Sequence, residues 1–326
     1  MSNYISGMEK AAKATRETGS AAQKLAQQKE SMRGVGVALL GIGTVAAVAT
    51  GLAIKSFADF DAKMSQVKTL SHATADDMRN LSDAALTMGQ AIGFSANEVA
   101  DAEIELVKAG ISVKDIMGGA LKGALDLAAA GQINVADATS IASSAMVQVG
   151  LSGKDVPHIA DLLAAGADKA LGGVSDLGQA LKYAGPVAAS FGVSLDETVG
   201  VLSEFAQNGI LADQAGTGLR GVLSSLTSPS AAADAVLTKY KINLFDASGK
   251  FIGLAGAAGQ LHDKLGPLTD QTRSYALGQI FGNQQITTAT ILMKGGAQEV
   301  KKWTAAVNDQ GFASDQAAGK MDYLNG

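Results

Sequence analysis

Cysteine is absent from the 326 residues, which excludes disulfides and thiolate metal sites and leaves the redox compartment open. Proline occurs only four times, and aromatic residues make up 5% of the chain. A thin-walled helical assembly therefore fits better than a core organised around large rings, and the 47% hydrophobic content is carried mainly by Ala, Val, Leu and Gly. Such small side chains let helices approach closely. No excess of positive charge is present either: the formal charge of −5 argues against coating or reading nucleic acid, which needs a basic surface. What basic character exists is concentrated at the start, where residues 1–33 hold six basic side chains against three acidic ones. A basic arm thus precedes an acidic body.

Catalytic signatures are missing as well. His72, His158 and His262 lie far apart with no HExxH or other ligand spacing, and there is no GxxxxGK[ST] phosphate loop and no GxSxG elbow. Gly41-Ile42-Gly43-Thr44-Val45-Ala46 fits a GxGxxA dinucleotide fingerprint, with Asp59 and Asp61 downstream. That fingerprint works only between a strand and a helix of a parallel sheet, and no series of buried strands follows. No catalytic, cofactor-binding or metal-binding residue is therefore assigned, and no cofactor is expected.

What the chain does have is glycine, 39 residues of it. The first 33 residues read as a helical arm, with Ile5, Met8, Ala12, Thr15, Gly19, Ala22 and Ala26 at heptad-like spacing. From Gly34 to Ile54 no charge occurs, a length sufficient for one crossing of a bilayer. Gly34, Gly36, Gly41, Gly43 and Gly51 supply small packing positions there, while Leu39, Leu40, Ile42, Val45, Val48, Leu52 and Ile54 supply apolar ones. Two readings stay open: a transmembrane helix, or a helix buried in an oligomer.

Beyond Lys55 a phrase recurs, namely Gly, apolar, Ser, two residues, acid. It appears at Gly93 with Ser95 and Glu98, at Gly110 with Ser112 and Asp115, at Gly150 with Ser152 and Asp155, and at Gly192 with Ser194 and Glu197. Glycine closes the preceding helix, the apolar residue staples the next one, Ser caps it, and the acid completes a capping box or faces the helix dipole. A variant at Gly131 uses Asn134 as the cap, one residue later. The spacing predicts helices of about four turns joined by tight corners. Between Ile242 and Ile252, two short apolar runs flank a polar turn containing Asp246 and Gly249, and this predicts a small β-hairpin. The expected fold is mainly α: an array of short capped helices and helical hairpins with one β-hairpin, preceded by a long N-terminal helix that contains the apolar segment. The expected divisions are a basic arm at 1–33, an apolar segment at 34–56, a helical domain at 57–295 and C-terminal helices at 296–326, leading into a longer tract.

Several ordered blocks carry a resemblance. They are FADFDAKMSQVKTLSHAT from Phe57, EVADAEIELVKAGIS from Glu98, and DLGQALKYAGPVAASFGVSLDETVGVLSEFAQNGI from Asp176. They continue with DQAGTGLRGVLSSL from Asp213, LFDASGKF from Leu244 and IFGNQQITTATILM from Ile280. Together they resemble the N-terminal region of phage tail tape-measure proteins of the minor tail protein family. The resemblance implies a non-enzymatic protein held in several copies in the tail lumen, which sets tail length and leaves at DNA ejection. It implies the tail tube protein, tail assembly chaperones and distal tail proteins as partners, with the host membrane a further one during ejection. A rival expectation is a membrane-inserting or pore-forming protein that uses residues 34–54 as its device.

Overall fold

The computed structural model describes the backbone of residues 46–325 and the side chains of residues 55–320. The basic arm lies outside the described residues, as do the side chains of the candidate positions from Gly34 to Ile54. From Ala58 onward the chain forms one compact unit.

Thirteen α-helices of nine residues or more follow one another among the described residues: α1 (Ala46–Ser71), α2 (Ala75–Ile92), α3 (Ala96–Lys108), α4 (Leu121–Gly131), α5 (Val135–Gln148), α6 (Val156–Lys169) and α7 (Val174–Ser190), then α8 (Leu195–Gln207), α9 (Ala212–Thr227), α10 (Ala231–Lys239), α11 (Gly253–Leu265), α12 (Asp270–Val307) and α13 (Phe312–Asn325). A π-helical turn, Ile116–Ala120, leads into α4. From α3 to α9 the helices alternate between two rows. One row runs α3, α5, α7, α9, each packed on the next, and the other runs α4, α6, α8 and on to α12. Every helix also touches its sequence neighbour in the opposite row, which is the arrangement of stacked helical hairpins. The last helices close the stack, with α11 on α12 and α13 folding back onto α4 and α6.

The corners have a shared construction. Gly93, Gly110, Gly150 and Gly192 all adopt positive φ, between 69° and 83°, a left-handed conformation that L side chains rarely take. The apolar residue that follows then donates its N–H five residues back: Phe94 to Gly89 O, Ile111 to Leu106 O, Leu151 to Met146 O and Val193 to Ala188 O, all at 2.8–3.1 Å. This is the Schellman closure, and it places the apolar residue on the helix it ends. At the variant corner the left-handed residue is Gln132 (φ 52°), not Gly131. Gly131 is needed for packing instead, since a Cβ there would lie 2.8 Å from Val174 Cγ2.

The β-hairpin expected over 242–252 does not form. No strand occurs among the described residues, only a single antiparallel bridge between Phe245 and Phe251. The cause is local. Asp246 Oδ1 accepts from Ser248 N, Ser248 Oγ and Lys250 N at 2.8, 2.6 and 3.0 Å, curling the segment into an Asx turn between two helices. Those hydrogen bonds hold the Asp246 carboxyl below the usual carboxylate range. Ile242, Leu244 and Phe251 enter the helical core, so the arms have no sheet face to build.

α12 is one helix broken twice by glycine. Gly282 (φ 68°, ψ 176°) and Gly296 (φ 63°, ψ −167°) interrupt it, so the division placed at 295/296 falls at a kink within α12. No helix among the described residues is long and apolar enough to cross a membrane.

Candidate interaction site

The Ser–acid pairs read from the sequence stand at helix starts. Glu98 N donates to Ser95 Oγ at 3.3 Å while Ser95 N donates to Glu98 Oε2 at 2.8 Å, a reciprocal box at the head of α3. Asp115 N donates to Ser112 Oγ at 3.1 Å, and Ser152 N donates to Asp155 Oδ2 at 2.9 Å. The hydrogen bonds from Ser152 hold the Asp155 carboxyl below the usual range. At the fourth corner the roles separate. Ser194 Oγ accepts from Glu197 N at 3.1 Å, but the Glu197 carboxylate reaches across the fold and accepts from Ala255 N at 2.7 Å, capping α11.

Asp161 does the same for α13. It is 7% exposed, and its two oxygens accept from Gly311 N at 2.7 Å and Ala313 N at 3.0 Å. This tie secures the closing helix to α6. Asp161→Ala would leave two N–H groups unpaired at the start of α13, and a loss of about 2 kcal/mol is expected in urea unfolding. Asp161→Asn, which keeps one acceptor oxygen, should lose less.

Two buried glutamates were not singled out in the sequence. Glu103 on α3 is fully buried, with neither oxygen hydrogen-bonded to protein, and burial pushes it up to about 8. Glu204 on α8 is 3% exposed, its Oε2 has no partner, and burial followed by repulsion from Glu299 raises it to about 7. A signal for the first existed: Val99, Glu103 and Leu106 share one helical stripe, so the acid stands where an apolar residue belongs.

Glu204 lies in a cleft of about 420 Å³ between α8 and the last segment of α12, lined also by Lys169, Gln207, Glu299, Lys302 and Trp303. Gly295 makes room for its carboxylate, since a Cβ there would come 2.7 Å from Glu204 Oε1. Nearby, Gly200 lets α8 press directly on α12, where a Cβ would lie 2.7 Å from Thr304 N.

Of the histidines, His158 Nε2 faces Asp196 Oδ1 at 3.3 Å and His262 Nδ1 meets Met293 O at 3.0 Å, so the two serve separate places. His72 directly follows α1 at positive φ. No group of three or more His, Asp or Glu residues that could hold a metal ion occurs among the described residues.

The architecture is a helix-on-helix scaffold whose distinctive chemistry lies at corners, caps and one polar cleft. The chain belongs to the family of phage-related minor tail proteins, whose model matches residues 82–282. It is similar to the tape measure protein of Pneumococcus phage Dp-1, with 33% identity over 94% of this chain and 27% of that protein. It is also similar to the probable tape measure protein of Escherichia phage P2, with 27% identity over 93% of this chain and 37% of that protein. The chain therefore spans well under half the length of these relatives. No solved structure matches it. The rival reading as a membrane-inserting protein gains nothing from these relatives or from the described helices.

Proposed function

We propose that this chain is the compact helical portion of a tail tape-measure protein, a non-enzymatic component of the virion tail that governs tail length during tube assembly and departs at genome ejection. The observation that carries this reading is the similarity along 94% of the chain to a protein named for that role. Its partners on this reading are the tail tube protein, the assembly chaperones, the distal tail proteins and further copies of itself in the lumen.

Physical reasoning divides the labour within such a protein. A ruler gains about 1.5 Å per residue when helical and extended. Here the helices fold back on one another, and even α12, at 38 residues, would reach only about 57 Å if straight. The compact unit thus adds little length and suits an anchoring role at one end of the lumen.

Disrupting the gene in the phage that carries it, followed by electron microscopy of lysates, is the test. Tails should be missing or of uncontrolled length, with uniform tails restored by the intact gene in trans. Uniform tails of ordinary length in the disrupted phage would overturn the proposal.

A further inference from the structure

We propose that the cleft between α8 and the last segment of α12 receives the guanidinium of an arginine side chain presented by a partner polypeptide. Charge bookkeeping carries the argument. Lys302 Nζ donates to Glu299 Oε1 at 2.9 Å, while Lys169 Nζ donates to Ala306 O at 2.6 Å and Asp309 Oδ2 at 3.2 Å. Each lysine is thus hydrogen-bonded to an acid, and Glu204, which feels the Lys302 charge only through space, is 3% exposed with Oε2 unpaired. A buried carboxyl in that state is costly to ionise until a cation meets it.

The rest of the lining selects the kind of cation. Trp303, the only tryptophan of the chain, contributes a ring to the lining of the same cleft, and a guanidinium both stacks on an aromatic face and donates two parallel hydrogen bonds to a carboxylate. A lysine ammonium is more strongly hydrated and lacks the planar fork. Gln207 and Asn208 at the exposed edge add amide oxygens for the remaining donors. The Glu204 carboxyl itself has room there because position 295 is glycine.

Trp303 makes the site readable in the full chain, since it is the only tryptophan and can be excited at wavelengths where the tyrosines do not absorb. Titration with N-acetyl-L-argininamide should give a saturable change with half-saturation on the order of 1 mM. The neutral isostere N-acetyl-L-citrullinamide should give none, and the lysine analogue should bind several-fold more weakly. Glu204→Gln preserves shape and removes a buried charge, so it should keep its helical circular dichroism while binding about tenfold more weakly. Gly295→Ala keeps the charge but displaces it, and should weaken binding as well. Absence of saturation, a citrulline response equal to the arginine one, equal binding by the lysine analogue, or unchanged binding in Glu204→Gln would each overturn the assignment.

Discussion

Replacing Glu103 by Gln is expected to stabilise the folded chain at neutral pH by about 3 kcal/mol, with the gain shrinking as the pH falls toward 5. The substitution keeps the shape and the polar burden of a neutral carboxyl, so the difference it reports is that of the charge alone. Glu103 is fully buried with both oxygens unpaired, and its carboxyl is raised from 4.5 to about 8. Between those two values the folded chain holds a proton that the unfolded chain has released. Stability contributed by this group is therefore complete below about pH 4.5 and is lost progressively as the pH rises toward 8. Glu204 acts in the same direction up to about 7, so Glu103→Gln should retain a shallower decline, and the double variant with Glu204→Gln a shallower one still. Urea unfolding at several pH values between about 5 and 9 checks this. A parallel pH dependence in wild type and Glu103→Gln would show that the carboxyl is not held in an apolar environment.

The corners of the fold were legible because their chemistry is local. Glycine, an apolar residue, a capping hydroxyl and an acid lie within six positions, and each hydrogen bond of the Schellman closure and of the Ser95–Glu98 box spans at most five residues. The hairpin expectation failed for a reason equally local but hidden in one side chain: Asp246 takes the N–H groups of Ser248 and Lys250, and Lys250 N is then engaged by a carboxylate. What no local pattern could display are the partners at a distance. Glu197 serves a helix start 58 residues away, and Asp161 reaches 150 and 152 residues. A Ser–x–x–Glu phrase looks the same whether the acid turns back on its own helix or away from it. The cleft follows the same rule, since Glu204 and Trp303 are brought together only by the crossing of α8 with α12.

The glycines of α9 show how a local cost can point to a tertiary contact, and they support the second large effect: Gly216→Ala should destabilise the chain by about 3 kcal/mol. Three glycines, Gly216, Gly218 and Gly221, stand inside one helix, each about 1 kcal/mol less favourable there than alanine. That cost is offset by how closely neighbouring helices approach. A Cβ at Gly216 would fall on the carbonyl oxygen of Ala180 in α7 and 2.9 Å from its Cα, so backbone rather than a flexible side chain stands in the way. Gly218 and Gly221 face Thr288 and Gln285 of α12. α9 is therefore wedged between α7 and α12, and a methyl at 216 must pry the first pair apart. The propensity gained by alanine recovers only part of the loss. Gly278 is the matched control, because it lies in α12 with no atom within 4 Å of the place a Cβ would occupy. Gly278→Ala should stabilise by about 1 kcal/mol, so the same chemical change is expected to move the thermal midpoint in opposite directions at the two sites. Calorimetry of the two variants decides it, and a midpoint for Gly216→Ala at or above wild type would mean that α7 and α9 do not make this close crossing.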